Sequence, residues 1–195
     1  MRTHRLIAWV LLVGSLVSCY AGGKPEETVP ADVLLDRLRS DDPRILDSLR
    51  VTNHTLRELH ETNPLFPLVL GEALADRALP SAAIRAFEYV YARMDDPWRG
   101  LAAGNIAEIH LWRGDYDSTV EWARNAIGTG YADADDWYAL GEALYRSEQD
   151  DELEPVTEEI LESSIRHGEI TASGLAAEAH LWRTVVAARG NGDQF

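Results

Sequence analysis

The chain repeats itself, and that repetition limits its fold more than any other feature. Leu70-Gly71-Glu72-Ala73-Leu74 recurs as Leu140-Gly141-Glu142-Ala143-Leu144, an offset of 140 − 70 = 70 residues. Ala107-Glu108-Ile109-His110-Leu111-Trp112-Arg113 recurs as Ala177-Glu178-Ala179-His180-Leu181-Trp182-Arg183, again 177 − 107 = 70. Two separate matches at one offset are not expected by chance. The unit divides further: Gly71 to Ala107 is 36 residues, Ala107 to Gly141 is 34, and Gly141 to Ala177 is 36. A period near 34 is that of paired helices stacked as a solenoid, where each unit buries its apolar face only against its neighbours. The expected fold is all-α, an α-α superhelix of stacked antiparallel helix pairs.

The best-formed unit runs from Leu101 to Ile127: a helix A, the turn Arg113-Gly114-Asp115-Tyr116-Asp117, and a helix B with Ala126 and Ile127 late in it. An earlier unit carries Leu70-Gly71, Leu74, Ala78, Ala83 and Phe87; a third carries Trp137, Leu140-Gly141, Leu144 and Tyr145. A fourth holds only a helix A, Thr171 to Ala188, before Gly190-Asn191-Gly192. These residues resemble the tetratricopeptide repeat, over roughly residues 64 to 189. The resemblance implies an array over 63–195, with units near 64–97, 100–133, 134–169 and 170–189. Gly71, Ala107, Gly141 and Ala177 occupy one place on helix A, where a small side chain lets helix B of the same unit approach closely.

Breakers punctuate the array. Asp42-Pro43 and Asp96-Pro97 each read as an N-cap followed by Pro at the first helical position, and Pro80 opens another helix. Gly114, Gly168 and Gly190 suit C-terminal stops. Pro155 should start a shortened helix B in the third unit, because proline inside a helix removes a hydrogen bond. Upstream, residues 30–62 form an N-terminal helical cap. Ala31 to Arg39 is one helix, and Pro43 to Glu61 is a second with the stripe Ile45, Leu46, Leu49, Leu56, Leu59. This pair either covers the apolar end of the solenoid or offers a docking helix to a partner.

The chain starts with a leader. Arg2 and Arg5 make a positive start, and Leu6 to Val13 is an unbroken apolar run. The run is shorter than the roughly 20 residues a membrane-spanning helix needs and suits a secretory signal. Leu16-Val17-Ser18-Cys19 then resembles the lipobox of bacterial lipoproteins. In that family the cysteine thiol receives a diacylglycerol, the chain is cut before it, and its amine is acylated, with palmitate for example. The resemblance implies a signal peptide over 1–18, lipidation at Cys19, and a flexible tether over 19–29. Tyr20, in place of an aspartate, implies the outer membrane facing the periplasm. The alternative is ordinary secretion, with a cut after Ala21 or Gly23. Cys19 is the single cysteine, so no intrachain disulfide can form.

Charge removes one class of partner. The chain carries 18 Lys+Arg against 33 Asp+Glu, a net −15. Loss of residues 1–18 removes two Arg and no acid, giving 16 − 33 = −17. Nucleic acid needs a basic footprint and is not expected as a partner. Catalytic signatures are missing as well. The glycines sit at repeat positions and not in a phosphate-cradling order, and there is no Gly-x-Ser-x-Gly elbow. No enzyme activity, cofactor or metal is expected. His54, Glu58 and Glu61 share a helix face at i, i+4, i+7, which is metal-ligand spacing but also ordinary surface composition. His110 and His180 read as packing histidines on equivalent helices. Asp133-Ala134-Asp135-Asp136 and Asp150-Asp151-Glu152 read as acidic loops without the ligand pattern of a calcium hand.

What remains is surface. Glu72, Glu108, Glu142 and Glu178 each follow the small packing residue, a position that faces the groove in tetratricopeptide domains. Trp112, Trp182, Tyr138 and Tyr145 lie on the same or adjacent helix A faces. Glutamate is also simply a good helix former, and Glu142 can pair with Arg146 at i, i+4. Read as a site, the eight residues make an acidic, aromatic-lined groove for a basic protein or peptide. The Lys/Asn/Arg clamp that some such domains use for C-terminal carboxylates is missing. The leading expectation is a lipid-anchored envelope scaffold that binds a protein or peptide through this groove. The alternative is an accessory lipoprotein of a periplasmic solute transporter, the TRAP-associated tetratricopeptide type, which the Ser40-Asp41-Asp42-Pro43 helix start faintly resembles; that reading implies a small-molecule cavity or a ring-shaped oligomer.

Overall fold

The computed structural model describes Val33, Asp36, Arg37, residues 51–167 and residues 170–192. The leader, Cys19, the tether, Asp42-Pro43 and the stripe residues Ile45, Leu46 and Leu49 lie outside the described residues, as does Gly168. The chain forms two compact units that divide between Pro64 and Leu65. Among the described residues there are eight helices of a turn or more and no strand. No helix among them is long and apolar enough to cross a membrane.

Helix α1, Asn53–Thr62, lies in the first unit. It starts afresh at Asn53, so the single helix expected from Pro43 to Glu61 does not run through. Thr52 is extended (φ −106, ψ 160), and its hydroxyl accepts the Thr55 N–H at 3.2 Å. A capping hydroxyl competes with helix continuation at this point. Leu56 and Leu59 are buried, as the apolar stripe requires.

The second unit holds α2 (Phe66–Asp76), α3 (Pro80–Arg93), α4 (Trp98–Trp112), α5 (Tyr116–Gly128), α6 (Ala134–Arg146), α7 (Asp150–His167) and α8 (Ile170–Gly192). Each packs on its sequence neighbour, and α2, α4, α6 and α8 also meet in that order. That is the stacking of an α-α superhelix, with α2/α3, α4/α5 and α6/α7 as its hairpins. The turns inside those hairpins repeat their backbone geometry: Ala78, Gly114 and Glu148 all have positive φ, at 56, 72 and 57. Their spacings, 114 − 78 = 36 and 148 − 114 = 34, copy those of Gly71, Ala107 and Gly141. Only the middle turn uses the residue that adopts this conformation without strain, since an L side chain there costs about 1–2 kcal/mol. Allowing for the greater entropy of glycine in the unfolded chain, Ala78→Gly and Glu148→Gly should each raise the denaturant midpoint, by about 0.5–1 kcal/mol in stability.

Four boundaries differ from the sequence reading. Pro80 opens α3 as expected, but Asp96 does not cap α4: Pro97 holds the cap position, and the Trp98 N–H closes a turn on the Asp95 carbonyl at 3.1 Å. Pro155 lies inside α7, not at its start. The helix begins five residues earlier because Asp150, Asp151 and Glu152 fill its first turn, where the helix dipole favours acids. Proline in the second turn then loses only one hydrogen bond, to a carbonyl near the end. Asp133, Asp135 and Asp136 are likewise not a loop. Asp133 caps α6, and Asp136 accepts the Asp133 N–H at 2.9 Å to complete a capping box. Gly190 does not stop α8, which continues to Gly192.

The small-residue positions behave unequally. A Cβ on Gly71 would stand 2.6 Å from Phe87 Cε1, so glycine here does admit helix B of its own hairpin. Gly141 instead faces Trp182 from α8, the next helix A. The cause lies 157 − 87 = 70 residues after Phe87, where the buried Thr157 is too short to reach across. Trp182 takes the vacant place and joins Ala107, Ala139, Leu140, Ala143, Leu144, Leu153 and Ile160 in the core. To do so, α8 turns its face. Ala179 and Trp182 are buried, whereas Ala177, expected to pack, is exposed, and His180 and Leu181 are exposed with it.

Candidate functional site

Glu72, Glu108, Glu142 and Glu178 fall on α2, α4, α6 and α8, and all four are half-buried. Four of the eight residues proposed from sequence come together: Tyr138, with Glu142, Glu178 and Trp182 about its ring. Tyr138 is 38% exposed on α6. Its hydroxyl is pushed above the ordinary tyrosine value, first by burial and then by the charges of Glu142 and Glu178, with Arg146 opposing them. Both carboxylates therefore act on the same point, one from α6 and one from α8.

Glu142 also accepts a hydrogen bond from Arg146 Nε at 2.8 Å, the i, i+4 pair anticipated from sequence. That bond raises the Arg146 guanidinium above its usual value, and the Glu142 charge adds to the effect. The carboxylate of Glu142 is thus shared, whereas the Glu178 charge reaches Tyr138 from a helix without that arginine.

The aromatic residues divide into three kinds. Trp182 does not line a groove: it is 1% exposed and lies under Tyr138, ring centroids 6.0 Å apart and tilted by 35°. It is the floor of the site, fixed by Gly141, and not a contact surface. Trp112, its equivalent two repeats earlier, stands 69% exposed at the end of α4. Tyr145 is half-buried, with the Arg189 guanidinium 5.0 Å over its ring; Arg189 in turn bonds Asp150 at 2.9 Å. Tyr145 is therefore engaged with Arg189 of α8, which Asp150 of α7 holds in place.

Sequence reasoning missed Leu181, 54% exposed on α8, and Tyr131, 62% exposed between α5 and α6. Leu181 repeats Leu111, which is half-buried. It also missed Gly104, whose hydrogen leaves room for the Asp136 carboxylate; a Cβ there would collide with Oδ1.

The histidines separate as well. His110 is held at the α4–α5 turn, its Nδ1 donating to Asp115 Oδ2 at 2.9 Å while Asp115 caps α5 through the Ser118 N–H. The Ser118 bonds and the His110 contact hold the Asp115 carboxyl below its ordinary value despite partial desolvation. That cap is present at neutral pH and is lost as pH falls through the lowered value. His180 is exposed and does not pack. His54 approaches Glu58 at 3.4 Å, and among the described residues no group of three candidate ligands could hold a metal. Asp150 and Glu152 are taken by Arg189 and Arg124 respectively. No family model matches the chain, and no curated protein matches it.

Proposed function

We propose that this chain is a binding protein and not an enzyme: a lipid-anchored scaffold of a bacterial envelope that holds a basic protein or peptide on its helix A face. The observation that carries the reading is the Tyr138 cluster. An exposed aromatic ring, rigidly backed by Trp182, bears the charges of two carboxylates from successive repeats. An arginine or lysine side chain stacked on such a ring gains from both the ring and the charges. The −17 charge of a chain beginning at Cys19 would attract cationic partners generally, so a local site must be separated from the overall field.

Matched charge reversals do this. Glu142→Lys/Glu178→Lys should weaken capture of a synthetic peptide of alternating Arg and Leu by about tenfold or more. Glu121→Lys/Glu158→Lys, exposed on α5 and α7, changes net charge equally and should have little effect at moderate salt. Equal loss from both pairs would assign the steering to net charge and remove the site. The anchor is tested by mass: the mature chain should begin with an acylated Cys19, and Cys19→Ala should move it from the membrane to the soluble fraction. A mature chain beginning, unmodified, at Lys24 would overturn that part of the reading.

A further inference from the structure

The replacement of a phenylalanine position by Thr157 has a second consequence. Trp182 fills the space over Gly141, but a void of about 170 Å³ remains between α7 and α8. Its lining is Leu153, Glu154, Thr157, Arg183, Val186 and Ala187. Leu153 and Thr157 are fully buried. The Thr157 hydroxyl already donates to the Glu154 carbonyl at 2.7 Å, so this wall carries no spare donor and is in effect apolar.

Charge enters the void from two sides. Glu154 comes from α7 and Arg183 from α8, both exposed. Among the described residues neither forms an ion pair, with the other or with a third group. Elsewhere the charges of α7 and α8 do find opposite partners, as Asp150 of α7 with Arg189 of α8 and Glu152 of α7 with Arg124 of α5. A carboxylate and a guanidinium held apart over an aliphatic wall are complementary to a molecule with the reverse arrangement. That molecule carries a carboxylate for the planar fork of Arg183, an ammonium for Glu154, and a short aliphatic group for Leu153 and Val186. The volume is well below the roughly 300–1,000 Å³ of sites for drug-sized ligands and suits a small molecule. We infer that the α7–α8 void is a binding site for a free α-amino acid with a small aliphatic side chain. This site stands apart from Tyr138, so either proposal can fail without the other.

The test uses the whole chain and three probes: L-leucine, 4-methylpentanoate (no ammonium) and isoamylamine (no carboxylate). Titration calorimetry should show saturable binding of L-leucine, with each single-charge analogue weaker by about tenfold or more. Arg183→Gln should lower affinity for L-leucine and 4-methylpentanoate but not isoamylamine. Glu154→Gln should lower affinity for L-leucine and isoamylamine but not 4-methylpentanoate. Ala187→Trp, which fills the void from an exposed position, should abolish binding of all three with the thermal unfolding curve of the free protein retained. Circular dichroism on every variant separates lost binding from lost fold. No saturable binding of L-leucine at millimolar concentration overturns the inference. Equal affinity for all three probes also overturns it, since the void would then be a purely apolar niche of the kind a partner's side chain fills.

Discussion

Trp182→Ala should be the most damaging single substitution in the repeat array, costing about 3–5 kcal/mol of stability. The residue is 1% exposed, belongs to the core and supports the Tyr138 ring. Its removal opens a large cavity that neither Gly141 nor Thr157 can fill. The matched control is Trp112→Ala, the same residue type at the equivalent repeat position. Trp112 is 69% exposed, and its loss should stay within about 0.5 kcal/mol. Urea unfolding followed by circular dichroism measures both midpoints. Equal effects at the two positions would mean that α8 keeps the register of α4 and does not turn its face.

Gly141→Leu should be nearly as costly, for the reason that makes Trp182 valuable. An ideal Cβ at residue 141 stands 2.6 Å from Trp182 Cη2, closer than any ordinary contact. A leucine there must push α8 from α6, and overpacking of this kind costs about 1–3 kcal/mol. The two substitutions share one space, so they should not add. In the double variant the leucine enters the volume the indole leaves, and the combined loss should be smaller than the sum by about 1 kcal/mol or more. Strict additivity in the same unfolding measurement would show that the two residues do not touch.

The repeat was legible because its signals are local. Gly71, Gly114 and Pro80 announce a close approach, a left-handed turn and a helix start through properties of a single residue. Leu70, Leu74, Ala83 and Phe87 announce a buried face by their spacing, and all are buried. The site was legible only in part. Tyr138 and Glu142 share α6, and the Glu178 charge reaches the same ring because α8 packs on α6, the helix order that the repeat gives. Trp182 was misplaced because its burial depends on Thr157, a short side chain on a different helix. No property of Trp182 or of the residues around it carries that information. The same holds for Ala177, which sits at the packing position in the alignment and outside it in the fold. Asp150 to Glu152 failed for another reason: three acids suit a solvated loop and a helix N-terminus equally, and tertiary partners such as Arg124 and Arg189 decide between them.

The contact between Gly141 and Trp182 also bears on how the array comes apart. In a solenoid whose helices touch only sequence neighbours, the terminal helix frays alone, and opening spreads inward one element at a time. Here each helix A also touches the next, and at α8 the contact is made close by Trp182 set against Gly141 of α6, two places before it. Detaching α8 strips cover from Leu140, Ala143 and Leu144 as well as from Ile160. The helices α6, α7 and α8 should therefore open as one cooperative block, with amide protons near Ala143 and Ala179 exchanging with a common free energy in native-state hydrogen exchange. The α6/α7 hairpin and α8 thus share one threshold for unfolding.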